Sequence, residues 1–263
     1  MLLATPVAVG VALALLAVAY AWSWRSVRRA DGSAISVGRL CAFLAGVVSL
    51  WAAVASPLAH LDQGHLTAHM IQHLLIMTVA APLLLLGEPA YVLRNGLGTR
   101  WPRDSGLAWR SPHPALCWFA GTFVVIAWHV PALFEIGMRW HAFQHATFLL
   151  AGLLFWVPVI RPWPTVARWP RWSIPAYLFL ATLPCDGLSA FLAFCNRVVY
   201  PRYGSMHMHV HSGISPLEDQ ARAGALMWFW VTIAYLVPAA LVTIELLSPQ
   251  RRARPRVELV GER

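Results

Sequence analysis

The sequence predicts an all-α integral membrane bundle of about seven transmembrane helices, N-terminus outside and C-terminus cytoplasmic, and three observations carry that expectation. Of 263 residues, 59% are hydrophobic and only 12% are charged, too little polar cover for a water-soluble domain of this size. Seven stretches approach the roughly 20 apolar residues that a helix needs to cross about 30 Å of hydrocarbon. They are residues 2–24, 37–59, 66–87, 115–135, 142–160, 173–195 and 222–247. Finally, the charge is one-sided. All twenty basic residues are Arg, and sixteen of them fall in alternate connections and the tail.

Taken in order, the first segment has no basic residue ahead of it and Arg25, Arg28 and Arg29 behind it, the reverse of a secretory signal peptide, so it is expected to persist as a helix. With Arg39 these precede segment two. Arg94, Arg100, Arg103 and Arg110 separate segments three and four, and Arg161, Arg168 and Arg171 separate five and six. Arg251, Arg252, Arg254, Arg256 and Arg263 close the chain, while only Arg139, Arg197, Arg202 and Arg222 lie on the other side. The positive-inside rule therefore places the C-terminus in the cytoplasm. Residues 1–250 read as one helical domain, and residues 251–263 as an Arg-rich cytoplasmic tail near anionic lipid. In that setting a formal charge of +9 points to membrane lipid and not to nucleic acid. The longer connections, 88–114 and 196–221, are polar and contain Pro or Gly, as loops do. Trp101, Trp128, Trp140, Trp163 and Trp172 stand near helix ends as an aromatic belt.

The same topology sorts the eleven histidines. Ten fall on the external side: His60, His65, His69, His73, His129, His141, His145, His207, His209 and His211. Only His113 is cytoplasmic. In segment three His65, His69, His73 and Met77 recur every four residues, and His141 and His145 repeat the spacing in segment five, so neighbours stack on one helix face. At about 1.5 Å rise per residue, His73, His129 and His145 reach depths of roughly 5 to 10 Å on three helices. They are expected to converge on one centre, with His69 and His141 above it. Imidazoles in hydrocarbon are costly unless paired, hydrated or metal-bound, and intramembrane ionisable groups are functional by default.

Imidazole suits zinc, copper and iron, whereas thioether favours Cu(I). Met70 and Met77 accompany the histidines of segment three, and the last external loop carries Met206-His207-Met208-His209-Val210-His211, a run of soft and borderline donors suited to capturing copper. Copper, as Cu(I), is the favoured metal; zinc and haem stay open. Blander readings stand beside this one: His60, His65 and His113 as interfacial residues, Met77 as core filler, and the Met206–His211 tract as an incidental polar loop. The four cysteines have no CxxC spacing, so neither a disulfide framework nor a thiolate copper loop is indicated. Asp186, midway along segment six, is either a proton way-station or a capped group. Glu135 and Glu218-Asp219-Gln220 lie on the external side, where they would hold the second nitrogen of a ligating His, or in the case of Asp219 cap a helix.

Five runs in order resemble one family: HMIQHLLIMTVAAPLLLLGEP (His69 to Pro89), HVPALFE (His129 to Glu135), HAFQHATFLLAGLLFWVPVI (His141 to Ile160), AFLAFCNRVVYPRY (Ala190 to Tyr203) and PLEDQARAGALMW (Pro216 to Trp228). They are similar to the polytopic CtaG family of cytochrome c oxidase assembly factors. The resemblance implies a bacterial inner-membrane protein, not an enzyme, that matures a haem-copper oxidase at the extracytoplasmic face and handles copper there. Residues matching the family's histidine motifs are His69, His73, His129, His141 and His145. The Met206–His211 tract and Cys185 lie outside the resemblance. The expected function is thus an assembly factor that binds and delivers copper to an oxidase subunit. The alternatives are a bis-histidine haem protein, a copper permease using Cys185 and Asp186, and a metal-free oxidase scaffold.

Overall fold

The computed structural model describes residues 6–62, 64–96, 98, 109–110, 112–162, 164–166, 169–204 and 213–248. Its long helices are α1 (Pro6–Ala30), α2 (Val37–Val54) and α4 (Leu66–Leu86), with the four-residue α3 (Leu58–Leu61) between the last two. There follow α5 (Pro89–Gly96), α6 (Pro114–His129), α7 (Pro131–Arg139) and α8 (His141–Ile160). The chain continues through α9 (Ser173–Phe194), the short α10 (Pro201–Gly204) and α11 (Pro216–Leu247). Six of these, α1, α2, α4, α8, α9 and α11, are long and apolar enough to cross a membrane, and the bent pair α6 and α7 makes a seventh if taken as one span. Large apolar side chains such as Phe123, Phe179, Phe229 and Leu241 face outward, as lipid as solvent requires. The Met206–His211 tract and the 251–263 tail lie outside the described residues.

Three boundaries differ from the expectation, each for a local reason. Segment four does not run straight through 115–135: α6 ends at His129, and α7 departs from it at 88°. Pro131 lacks an amide and holds Val130 extended, at φ −67° and ψ 124°, which stops the helix there. Segment seven begins six residues early because Ser215 accepts a hydrogen bond from the Glu218 amide at 3.2 Å, an N-cap that hydropathy does not register. The connection 88–114 contains α5, whose Tyr91 and Val92 are buried. Tyr20 of α1 stacks on Phe43 of α2 at 3.7 Å and donates to the Gly87 carbonyl at 2.6 Å, joining α1, α2 and the end of α4 in a satellite core. At the Arg-rich end, ion pairs Arg39 with Glu88 and Arg171 with Glu245 link segments far apart in sequence, and residues 109–110 and 165–166 form a two-residue parallel bridge.

The main core joins α4, α6, α8, α9 and α11. Inside α4, residues Leu75–Ala80 form a π turn. Pro82 removes the amide that the Thr78 carbonyl would otherwise use, and a local π adjustment is the usual response. Partners from other helices complete it: the Trp156 indole donates to the Met77 carbonyl at 2.9 Å, and the Trp230 indole to the Thr78 hydroxyl at 2.8 Å. Gly152 lets α8 lie against this turn, since a Cβ there would stand 3.1 Å from Met77 Cα. Small residues at such crossings permit close backbone approach in membranes.

Candidate metal centre

Asp219 fixes the helix that carries the first two histidines. It belongs to the first turn of α11 and not to the loop before it, and it is buried. Its carboxylate accepts from the Leu66 amide at 2.6 Å, the Thr67 amide at 3.3 Å and the Thr67 hydroxyl at 2.6 Å. The expected cap is therefore real, but it caps α4 across the fold, where an anion also complements the helix dipole. Replacing Asp219 with Ala leaves those donors buried and unpaired, and should cost about 2 kcal/mol. A thermal unfolding curve of the purified protein should shift to lower temperature by several degrees, with Asp219→Asn intermediate. Gln220 is likewise buried and ties down the turn after α9, accepting from the Val199 amide at 2.7 Å and donating to the Arg197 carbonyl at 3.1 Å.

From that anchored end, His69 and His73 rise on consecutive turns of α4 with ring centres 4.1 Å apart. On α8, His141 and His145 repeat the arrangement, also at 4.1 Å. The two ladders face each other. His69 lies 5.7 Å from His141, and His73 lies 6.0 Å from His145 and 6.3 Å from His129 of α6. Two imidazoles sharing one ion through bonds of about 2 Å have ring centres roughly 5 to 6 Å apart, a range that the His69–His141 and His73–His145 pairs meet and His73–His129 slightly exceeds. All five histidines chosen from the sequence are brought together, in two layers: His69 and His141 outside, His73, His129 and His145 within.

Sequence reasoning missed Asp62. This residue follows α3 in the short turn before α4, and its side chain is fully buried. Its Oδ2 stands 2.9 Å from His141 Nε2, and ligand atoms of Asp62, His69 and His141 all lie within 4.8 Å of one another. Tyr203 donates its hydroxyl to the Asp62 carbonyl at 2.7 Å and so fixes the turn. The signal is present in the run His60-Leu61-Asp62, a carboxylate among external histidines; Glu218, expected to hold a ligating His, pairs with Arg222 at 2.6 Å.

Chemically, the cluster is rich in ligand atoms that have no hydrogen-bond partner among the described residues. These are both oxygens of Asp62, both ring nitrogens of His69 and of His73, and Nε2 of His141 and His145. Even the close Asp62–His141 pair lacks hydrogen-bond alignment. Polar atoms buried without partners are each costly by about 1 to 3 kcal/mol, and a cation shared among them satisfies several at once. His129 differs: its Nδ1 lies 2.7 Å from the Val125 carbonyl, which orients the ring, and Nε2 faces Met70 Sδ at 3.4 Å. Second-atom contacts of this kind fix a ligating imidazole.

The thioether beside His129 is thus Met70. Met77, counted with the histidines from its spacing, falls in the π turn, and both methionines line a cavity beneath His73. His65 occupies the N-cap position of α4 without a side-chain capping bond, and His113 meets Trp169 edge-on at 5.4 Å near the Arg-rich end. Met206, His207, Met208, His209 and His211 are outside the described residues. All four cysteines are free thiols, with Cys185 buried against the same cavity.

Fold and site together define a polytopic helical membrane protein with buried imidazoles gathered at one end of the bundle. The family model for the cytochrome c oxidase caa3 assembly factor, Caa3_CtaG, matches residues 18–248. This chain belongs to that family. It is also similar to the uncharacterized protein ML1998 of Mycobacterium leprae (strain TN), 26% identical over 257 residues that cover 90% of this chain and 38% of that protein. The chain therefore spans under two fifths of that relative's length. No solved structure matches it significantly.

Proposed function

We propose that this assembly factor binds copper as cargo at the extracytoplasmic face of the bacterial inner membrane and delivers it to a haem-copper oxidase subunit. The observation that carries this reading is the set of unpartnered ligand atoms on Asp62, His69, His73, His141 and His145. Neutral imidazoles supply the borderline donors, and the Asp62 carboxylate offsets part of the ion's charge where hydrocarbon would not. Cargo must leave as well as arrive. A layered set of donors, none closed into a tetrahedral cage, supports exchange better than a structural site would.

The geometry disfavours the two metal-handling alternatives. The cavity beside His73 and His129 is about 30 Å³ and walled by Leu74, Phe148 and Val231, which leaves no room for a porphyrin ring between axial ligands. A permease needs polar residues through the inner half, but around the π turn the described residues bring large aromatic rings, Trp156 on the Met77 carbonyl and Trp230 on the Thr78 hydroxyl, with Tyr235 5.9 Å from Trp156. The test is metal content and visible absorbance of the detergent-purified protein after Cu(I) loading, beside a His73→Ala/His145→Ala variant. Copper bound by the wild type and lost in large part by the variant is the expected result. Copper in neither protein overturns the reading, and a Soret band transfers it to haem.

A further inference from the structure

We propose that the cavity beneath the histidine cluster is a second metal site, selective for Cu(I), built from the thioethers of Met70, Met77 and Met227 with His73 and His129. The proposal rests on the copper reading above but assigns a separate place and a separate chemistry. Four helices bring nitrogen or sulfur to this cavity: Met70, His73 and Met77 come from α4, His129 from α6, Cys185 from α9 and Met227 from α11. Sulfur is scarce in the chain, with seven Met and four Cys in all, yet three Met and one Cys meet around one space of about 30 Å³. That is room for a single ion or water.

Two further observations point to an ion and not to core filling. His73 is 5% exposed, lines the cavity, and has neither ring nitrogen in a hydrogen bond. His129 has Nδ1 committed to the Val125 carbonyl, which leaves Nε2 turned toward Met70 Sδ, 3.4 Å away. A nitrogen and a sulfur at that separation, each with a lone pair and no stronger partner, are arranged as two donors to a common centre. The chemistry separates this site from the outer one. Asp62, His69 and His141 offer oxygen and nitrogen, which suit zinc or copper alike, whereas thioethers discriminate for Cu(I).

Thioether and neutral imidazole donors bind Cu(I) without releasing a proton, and the ion keeps its oxidation state in passing between layers. His73 belongs to both, stacked under His69 and lining the cavity. It is the ligand an ion would share in moving inward.

The experiment loads the full chain in detergent with Cu(I) under anaerobic conditions, then reads copper per chain and X-ray absorption at the copper edge. Three proteins are compared: wild type, Met70→Leu/Met77→Leu/Met227→Leu, and His69→Ala/His141→Ala. Leu nearly conserves the volume of Met, and equal elution volume and melting behaviour verify the fold of each. Wild type should hold two ions, one with sulfur in its coordination sphere. The Met variant should hold one, bound by nitrogen and oxygen alone, and the His variant should hold one that retains sulfur. A single sulfur-free ion in wild type, or two ions persisting in the Met variant, overturns the second site while leaving the outer copper reading intact. Copper in none of the three overturns both.

Discussion

Cells that depend on this chain for oxidase maturation should lose most cytochrome c oxidase activity when it carries His73→Ala and His145→Ala, while the variant accumulates in the membrane at near wild-type level. Both halves of that expectation come from the same atoms. His73 and His145 sit 6.0 Å apart at the inner layer, and changes merely adjacent to a metal's ligands already cost about 10 to 100-fold in affinity, so removing two of the proposed ligands should cost more. The fold has less to lose. Both side chains are buried with unpartnered nitrogens, and deleting an unsatisfied buried polar group offsets much of the cavity it leaves. Oxidase activity in isolated membranes, with immunoblotting for the chain, checks both. Normal activity at normal abundance would point to a scaffold that needs no metal.

The second large effect concerns packing. Gly224 of α11 faces α9 so closely that an added Cβ would stand 2.6 Å from the Ala193 amide nitrogen and 2.8 Å from the Ser189 carbonyl oxygen. Backbone cannot step aside as a flexible side chain can. Gly→Ala within a helix ordinarily stabilises by about 1 kcal/mol, yet here the sign should invert. Gly224→Ala should destabilise by about 3 kcal/mol as the two helices are pushed apart. Gly187, on the facing helix α9, has nothing within 4 Å of the corresponding position, so Gly187→Ala should be neutral or mildly stabilising. Thermal unfolding in detergent compares the pair directly. Separating α9 from α11 would also loosen the Asp219 cap on α4, so Gly224→Ala should weaken copper retention although no ligand is touched.

Much of this architecture could be read from hydropathy and Arg placement, because in lipid a spanning helix must be both long and apolar. Where reading failed, a short-range feature had outweighed the average. Pro131 divided the fourth segment, Ser215 with Glu218 started α11 early, and Pro82 underlies the π turn that contains Met77. At the site, one-turn spacing was enough to pair His69 with His73 and His141 with His145, and depth along the helices placed His129. Asp62 and Asp219 were harder. Each acts across a gap in sequence, Asp62 on His141 and Asp219 on Leu66 and Thr67, and no local periodicity encodes a partner from another helix. The three methionines of the cavity were invisible as a group for the same reason, being scattered over α4 and α11.

The right-angled turn at Val130 bears on how fast an ion would reach the proposed site. By swinging α7 across the end of the bundle it sets Phe134, 1% exposed, 5.0 Å from His69 and 4.2 Å from Tyr200. Straight approach along the bundle axis to the outer layer therefore meets an aromatic ring. Of the five clustered histidines, His141 alone is substantially open, with 28% of its side chain exposed. Among the described residues, His141 is then the doorway an incoming ion would meet first, before His69 and the deeper rings. The ion's dwell time is then set by motion of the covering ring as much as by bond strength, which lets a holder be thermodynamically modest and still keep its ion until a partner reaches the doorway.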